Sequence, residues 1–438
     1  MSSTESSSSP SRRDFLKTSS AVSAAALTAN FAAAPGLYAQ DSQKILKVGL
    51  VGCGGRGSGA AQNALTADKY TKIVAVGDIV PENIEICLRG LRGNKAVASQ
   101  VDVAEDKKFL GLDAYKKVIN EVDVILLASP PGFRPYHLRA AVEAGKHIFC
   151  EKPMATDAVG VRHAMESVRI AKEKKLSLVA GFCWRYHPEK MELFKRVHEG
   201  QIGDVVAVYG CYLTNPVKPM PPADTRPAGM SDLEWMVRNW YNFTFLSGDG
   251  LVEQAVHTVD WLAWTMKDLM PVSCTAVGGR QIPANGGNIF DHIEVNYLWE
   301  NGVRGFMAQR QINGCFGETA LRIMGTKGIA EITGRGSSIT GENAWRFKAP
   351  KDTKYDMYDL EHEDLFLSIR DGKALNDGDR MMKSTMMAIM GRMAGYTGQQ
   401  VTWDQALSSQ QNLMPDVTSW DSPVQVPPMA RPGITKLV

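Results

Sequence analysis

The sequence predicts an α/β protein in which a doubly wound parallel sheet precedes a second α/β domain with an open, mainly antiparallel sheet. Short apolar strands alternate with helices from residue 45 to about residue 174, which is typical of parallel strands joined by helical crossovers. Beyond Gly203 the strands are half-exposed in pattern, and short turns such as residues 300–302 separate several of them. Such short connections are typical of antiparallel sheets.

The first half of the chain supplies the predicted parallel sheet. Its predicted strands are residues 45–51, 73–76, 122–128 and 147–150, and one more strand, residues 177–182, is predicted where the pattern changes after the last helix. Its predicted helices are residues 58–67, 81–89, 136–143 and 158–174. We place this first domain at residues 45–175.

The second domain, which we place at residues 176–438, supplies the open sheet. Its predicted strands are residues 205–212, 273–277, 291–299, 303–309, 319–324 and 329–332. A Pro-rich irregular loop is expected at residues 215–229. A Met-rich helix is expected at residues 381–396, and we expect its methionines to pack in the core.

The N-terminal segment, residues 1–39, is distinct from both domains. Arg12 and Arg13 lie in an S-R-R-x-F-L-K pattern, which an Ala-rich stretch and small residues near Ala39 follow. The segment resembles a twin-arginine export signal, and a disordered tail is the alternative. The signal predicts a periplasmic or otherwise exported protein, with the twin-arginine export machinery as a partner.

Charge and cysteine usage exclude several classes of function. Lys and Arg total 49 and Asp and Glu total 47, so no basic excess exists to neutralise a nucleic-acid backbone. No apolar run of transmembrane length occurs after the N-terminal segment, so we expect no membrane anchor. The seven cysteines form no C-x-x-C pair, and we expect no metal site.

A glycine-rich turn follows the first strand and opens a helix. In the pattern G-x-G-x-x-G, Gly52 permits the tight turn, Gly54 lets a pyrophosphate approach the backbone, and Gly57 lets the helix pack closely on the strand. The helix N-terminus offers free N–H groups to the phosphates. This context predicts a dinucleotide site, against the alternative of a chance glycine turn.

Asp78, at the end of the second strand, predicts the choice of dinucleotide. It lies somewhat further from Gly52 than the usual spacing of about 20 residues. A carboxylate there accepts hydrogen bonds from the adenosine ribose and repels a 2′-phosphate, and Ile79 follows it rather than a basic residue. We therefore expect NAD rather than NADP. The alternatives are a turn aspartate, or NADP binding in which Arg56 holds the phosphate.

Two further positions carry candidate chemistry. Lys152, in Glu-Lys-Pro at the end of a strand, faces the ligand crevice of such a sheet and could stabilise alkoxide charge, unless it is a surface loop lysine. Glu253 and His257 have i, i+4 spacing on a predicted helix, where a carboxylate could orient an imidazole general base. That pair could also bind a metal or form a surface ion pair.

These motifs together resemble the glucose-fructose oxidoreductase/inositol dehydrogenase/rhizopine-catabolism family. The resemblance rests on G-C-G-G-R-G, on A-A-V-E-A-G-K-H-I-F-C-E-K-P-M-A, on W-R-Y, and on the helix that ends in His257 and Asp260. It implies that Lys152 lies beside the nicotinamide and substrate and that His257 is catalytic. Glu253 replaces the aspartate that the family has four residues before the histidine, which puts its direct role in doubt.

The resemblance implies an NAD-dependent oxidoreductase of a sugar, sugar derivative or polyol, and we expect a homo-oligomer. The alternatives are an NAD-dependent glycosidase acting by transient oxidation, and a non-catalytic sugar-binding relative. Further cofactor ligands are expected at Gly55, Arg56, Ser129, Pro130, His137 and Glu151, besides Lys152. Substrate ligands are expected at Arg185, Tyr186, Tyr241 and Asp260.

Overall fold

Two β-sheets, each following a distinct pattern of apolar residues, organise the chain. The computed structural model describes residues 43–351, 353–417 and 419–438, so the signal interpretation of residues 1–39 lies outside the described residues. Residues Ile45–Val438 form one compact unit. The boundary that we expect near residue 175 falls inside this unit and stays a prediction.

The first sheet has six strands, all paired in parallel, in the order β3, β2, β1, β4, β5, β6. Strands β1 to β6 are Leu46–Val51, Thr71–Asp78, Lys108–Leu110, Val124–Leu127, His147–Cys150 and Leu178–Ala180. Helices α1 to α5 are Gly55–Ala67, Pro81–Gly93, Ala114–Glu121, Arg134–Glu143 and Ala158–Glu173. The strand order reverses between β1 and β4, which is where such sheets bind ligands.

The second sheet has nine strands, in the order β14, β13, β12, β11, β7, β10, β9, β8, β15. Strands β7 to β15 are Val205–Thr214, Ser273–Gly279, His292–Leu298, Arg304–Gln311, Glu318–Gly325, Gly328–Thr333, Gly336–Gly341, Trp345–Arg346 and Val401–Thr402. Every neighbouring pair is antiparallel except β7 and β10, which are parallel. The predicted fold class, a parallel sheet with an open and mainly antiparallel one, is confirmed.

The helices of the second half join the two sheets into one core. Helices α6 to α13 are Pro188–His198, Asp232–Arg238, Thr244–Ser247, Gly250–Glu253, Val256–Thr265, Met357–Arg370, Gly378–Thr397 and Trp403–Ser408. The Met-rich α12 is buried along nearly its whole length and packs on α5, α10 and β8. Its methionines therefore belong to the core, as the sequence indicates.

Helix α11 packs back onto the first sheet. Its Leu365 and Phe366 are buried in one cluster with Val48, Leu50 and Phe149 of the parallel strands. The core of the parallel sheet thus includes residues from late in the chain. No helix among the described residues is long and apolar enough to cross a membrane.

The predicted loop at residues 215–229 is irregular and contains one short 3-10 turn, Ala223–Thr225. Together with α7 and α8 it forms a small apolar cluster around Leu233, Phe243 and Leu246. Side chains of the C-terminal segment, residues 413–426, pack on the same cluster. This cluster places the loop beside the carboxyl ends of the parallel strands, where Ile79 and Phe133 also contact it.

Candidate active site

A cleft of about 690 Å³ opens at the carboxyl ends of the parallel strands, on both sides of the β1/β4 switch point. This volume lies within the ~300–1,000 Å³ that is typical of small-molecule sites. Residues that follow β1, β2, β4 and β5 line the cleft, and so do Tyr212, Arg238, Glu253 and His257 from the second half of the chain. Both halves of the chain therefore contribute to one site.

The glycine turn forms one end of the cleft. Gly52 has φ +92°, and a Cβ there would lie 2.6 Å from the carbonyl carbon of Ala128. A Cβ on Gly57 would lie 1.7 Å from the Gly52 oxygen, so α1 can approach β1 only because Gly57 has no side chain. Gly54 has open space where a Cβ would be. That open space, at the N-terminus of α1, fits a pyrophosphate.

Asp78 connects β2 to this turn. Its Oδ2 accepts a hydrogen bond from the Cys53 N–H at 2.6 Å, and its Oδ1 accepts one from the Val80 N–H at 2.8 Å. Asn83 Nδ2 adds only long contacts, 3.4 Å to each oxygen, so a carboxylate with about four acceptor positions can still accept from ribose hydroxyls. Arg56 points elsewhere: its Nε is 2.8 Å from Glu151 Oε1 and its guanidinium stacks on Tyr358.

Ser129, Pro130 and His137 also line the cleft. The Ser129 hydroxyl lies 3.0 Å from His137 Nδ1, and the imidazole stacks on Tyr115 at 4.1 Å between ring centres. Burial, with the nearby Arg134 guanidinium, lowers the pKa of His137 to about 3. A neutral His137 is thus a hydrogen-bonding group of the cleft rather than a cation.

Lys152 follows β5, next to a cis peptide bond with Pro153. Its ammonium donates to the backbone oxygen of Glu253 at 2.5 Å and to Glu253 Oε1 at 3.0 Å. Both side chains are largely buried, at 11% and 14% exposure. Two of the three ammonium hydrogens are committed to Glu253, which leaves one for a ligand in the cleft.

His257 occupies the same cleft but does not pair with Glu253. The expected continuous helix is interrupted between α9, which ends at Glu253, and α10, which begins at Val256. The carboxylate instead reaches Lys152. The His257 ring lies 4.8 Å from the Trp184 ring, and its Nδ1 is buried with no partner among the described residues.

Electrostatics keep the His257 imidazole neutral. Burial is the largest cause, and the Lys152 and Arg56 cations add to it, so the pKa of His257 is held well below its ordinary 6.5. Its unprotonated nitrogen is therefore available as a proton acceptor at neutral pH. In the part of the chain that the structure describes, no group of three or more His, Cys, Asp or Glu side chains could hold a metal ion.

Comparisons with known proteins agree with this geometry. Residues 46–182 match the model of the GFO/IDH/MocA oxidoreductase family, described as an NAD-binding Rossmann fold, and residues 191–331 match the C-terminal domain model of the same family. The chain belongs to the GFO/IDH/MocA family. It is therefore an NAD(P)-dependent oxidoreductase, and its cofactor is NAD. Residues 9–29 match the twin-arginine translocation signal sequence.

Individual relatives in the family are distant. An inositol 2-dehydrogenase of Rubrobacter xylanophilus is 26% identical over 67% of this chain and 72% of that protein. Inositol 2-dehydrogenase 4 of Saccharopolyspora erythraea is 32% identical, over 37% of this chain and 44% of that protein. The solved structure of levoglucosan dehydrogenase with NADH and L-sorbose aligns with a TM-score of 0.65 at 18% identity, covering 82% of this chain and 99% of that one.

Three residues that the sequence indicated as substrate ligands lie outside the cleft of this GFO/IDH/MocA protein. Arg185 makes a bidentate pair with Asp260, with both N···O distances 2.8 Å and both side chains 3% exposed. The Tyr186 hydroxyl donates to Asp377. These groups are buried with protein partners and none of them lines the cleft, so substrate binding by Arg185, Tyr186 and Asp260 stays a prediction that this geometry does not support.

The fourth candidate, Tyr241, reaches the cleft indirectly. It lines a smaller neighbouring cavity, and its hydroxyl accepts a hydrogen bond from Gln311 Nε2 at 2.6 Å. The same Gln311 nitrogen lies 2.9 Å from Oε1 of Gln254, which lines the main cleft. A chain of three side chains therefore links the two spaces.

Several site residues were not found from the sequence. Arg134 is buried and donates to the backbone oxygens of Pro153 and Ser129, which ties the backbone just after Lys152 to the backbone that follows β4. Arg238 of α7 lines the cleft and pairs with Glu234 at 2.8 Å. Neither arginine belongs to a sequence motif that would have identified it. Gln254 was adjacent to a recognised motif and could have been included with it.

Proposed function

We propose that this protein is an NAD-dependent dehydrogenase of a sugar, a sugar derivative or a polyol. One observation carries the proposal: Lys152, Glu253 and His257 line the same cleft as the glycine turn that fits the pyrophosphate. Groups able to hold a nucleotide and groups able to move a proton thus face one space. The inositol 2-dehydrogenase relative supports a polyhydroxylated ring as the substrate.

The residues divide the work of the reaction between them. When bound, NAD supplies the hydride acceptor of the reaction. Lys152 directs its remaining N–H to the substrate oxygen and stabilises the negative charge that develops there. Glu253 positions that ammonium through its backbone oxygen and its carboxylate. His257, kept neutral by burial, takes the hydroxyl proton and returns it in the reverse direction.

The nucleotide is assigned to the other end of the cleft. The open space at Gly54 would receive the pyrophosphate, and the Asp78 carboxylate would accept from the adenosine ribose. Ser129, Pro130 and His137 line the stretch between Asp78 and Lys152, and we propose that they contact the nicotinamide half. Glu151 acts on the nucleotide indirectly, because its carboxylate holds the Arg56 side chain beside the glycine turn.

We also propose that the protein acts after export, in the periplasm. Residues 9–29 match a signal for a route that carries folded proteins, which would let NAD bind before export. An exported enzyme has no ready supply of free NAD. We therefore expect the cofactor to be retained through many turnovers.

The test is a substrate screen on the holoenzyme. Ligands released from natively purified protein are identified by mass spectrometry, and myo-inositol and a panel of aldoses are then screened for reduction of NAD by absorbance. At least one polyol or sugar should reduce the cofactor. Lys152→Met should lower that turnover by ~10²–10³-fold and hardly change NAD binding, as expected for loss of a donor to a developing oxyanion.

The matched control is Lys117→Met, because Lys117 is an exposed lysine of α3 outside the cleft. It should behave as wild type. A purified protein without NAD that reduces no cofactor with any sugar or polyol would contradict the proposal. Release of the aglycone from aryl glycosides would instead indicate the glycosidase reaction.

A further inference from the structure

A second, smaller cavity of about 210 Å³ lies beside the cleft. It is formed by the loop after β7, by the connection from β8 to β9, and by the end of β10. Val217 and Lys218 line both spaces, so the two cavities share a wall. Complete small-molecule sites are typically ~300–1,000 Å³, so the small cavity fits part of a ligand rather than a separate one.

Buried polar groups with unused hydrogen-bonding capacity line this cavity. Tyr241 is 2% exposed, and its hydroxyl accepts from Gln311 but donates to no described residue. Asn242 is 4% exposed, and its amide nitrogen is used by backbone oxygens while its Oδ1 accepts nothing from the described residues. The Tyr241 hydroxyl hydrogen and the Asn242 Oδ1 can therefore still form hydrogen bonds with a polar ligand in the cavity.

The remaining lining supplies a surface for a ring. Phe290, Ile289 and Met220 contribute apolar area, and Lys218 contributes an ammonium that has no hydrogen bond or ion pair with any described residue. Arg280 and Asp291 are held by local backbone groups and shape the rim. Apolar faces next to unused donors and acceptors suit a sugar ring, which has C–H faces and hydroxyl edges.

We propose that the small cavity is a subsite for a second sugar ring, so that the substrate is a glycoside rather than a free monosaccharide or polyol. The inference rests on the proposed function, because the first ring must lie at Lys152 and His257. The glycosidic bond would lie beside Val217 and Lys218, the two residues that line both cavities. The chain from Gln254 through Gln311 to Tyr241 would then contact both rings.

The test compares matched sugars on the holoenzyme. Turnover of glucose and galactose is measured against cellobiose, maltose and lactose, and kcat/KM for at least one disaccharide should exceed that of its monosaccharide by ~tenfold, the effect of one or two buried hydrogen bonds. Asn313→Trp fills the small cavity from its exposed rim and should lower the disaccharide-to-monosaccharide ratio of kcat/KM by ~tenfold. Asn120→Trp, at an exposed position of α3 outside both cavities, should keep the ratio.

The two possible failures are distinguishable. The subsite proposal is wrong, and the proposed function stands, if no disaccharide has a higher kcat/KM than its monosaccharide. The same conclusion follows if Asn313→Trp and Asn120→Trp give the same disaccharide-to-monosaccharide ratio of kcat/KM. If no sugar is oxidised, the proposed function fails, and saturation-transfer NMR with the same disaccharides decides the subsite. Saturation transfer to both rings in the wild type, and to only one ring in Asn313→Trp, would support the subsite. The same signals in both proteins would overturn it.

Discussion

The Lys152 ammonium lies 3.0 Å from the Glu253 carboxylate, and this pair joins the end of a parallel strand to a helix of the second half of the chain. The Glu253 carboxylate therefore contacts the lysine and not His257, and we expect it to act on the lysine. The resemblance implies an aspartate at this position, and the contact gives the glutamate there a role of its own. The longer side chain lets the same residue hold the ammonium through both its backbone oxygen and its carboxylate.

Removing the Glu253 carboxylate should release the ammonium. We expect Glu253→Ala to lower kcat clearly more than Glu253→Gln, because glutamine keeps an oxygen that can accept from Lys152. Steady-state kinetics measure both variants, and NAD titration should show little change in either. If Glu253 instead acted on the imidazole, Glu253→Gln would move the acid limb of the pH profile, and we expect that limb to stay in place.

His257 should work as a base at a lower pH than an ordinary histidine. Because burial and two nearby cations lower its pKa below 6.5, the imidazole stays unprotonated as the pH falls through the ordinary range. The acid limb of kcat/KM for substrate oxidation should therefore lie below pH 6.5. His257→Ala should lose ~10²–10⁴-fold in turnover. An acid limb above pH 6.5, or full activity of His257→Ala, would contradict this assignment.

The alternation of apolar strands and helices predicted the parallel sheet well, because each strand and its following helix are local in sequence. The sequence missed β3 and α3, since β3 has only three residues and none of them is fully buried. It also missed the parallel pairing of β7 with β10. That pairing depends on contacts between segments far apart in the chain, which no local pattern records.

The same distinction applies to the candidate site. The glycine turn and Lys152 were found because their motifs are contiguous and their positions follow from strand ends. Glu253 and His257 were placed on one helix because no glycine or proline marks the break at Gln254. The roles of Arg185 and Asp260 could not be predicted, since a buried ion pair and a substrate contact use the same residue types.

Asp260 should prove structural. Its carboxylate receives two hydrogen bonds from Arg185 and one from Ser384 while 2% exposed. Asp260→Asn leaves the buried Arg185 guanidinium with Asp268 as its remaining ion-pair partner, and should lower the free energy of unfolding by ~1–3 kcal/mol. Chemical denaturation measures this loss, and Glu166→Gln, which breaks an exposed pair with Arg169, should show little change. Normal stability with a raised KM would restore the substrate role.

Asp78 should determine the preference between the two cofactors. Asp78 lines the cleft beside Ile79, and the residue that directly follows Asp78 is thus not a cation. Titration of the apoprotein should show NAD binding more tightly than NADP, and Asp78→Ala should narrow that difference by removing the repulsion of a 2′-phosphate. Because Asp78 also accepts a hydrogen bond from the Cys53 N–H, Asp78→Ala should lower the affinity for NAD as well. Equal affinity of the wild type for both cofactors would contradict the prediction.

Export should depend on the arginine pair of the signal sequence. Residues 9–29 match the twin-arginine signal, and recognition of that signal needs the two guanidinium groups of Arg12 and Arg13. Replacing both with lysine keeps the positive charge, so loss of export would show that the signal needs the guanidinium groups and not only their charge. We expect the double variant to stay in the cytoplasm as folded protein, which fractionation and protease resistance would show.

Native mass spectrometry of the retained double variant should then find NAD bound, because a folded nucleotide site is complete before export. Arg335→Lys is the control, since it makes the same exchange at an exposed position far along the chain, and it should be exported normally. Normal export of the double variant would show that residues 9–29 do not act as a twin-arginine signal. Retention of an NAD-free protein would show that the cofactor is acquired by another route, and the proposal of a cofactor bound before export would fall while the signal assignment stood.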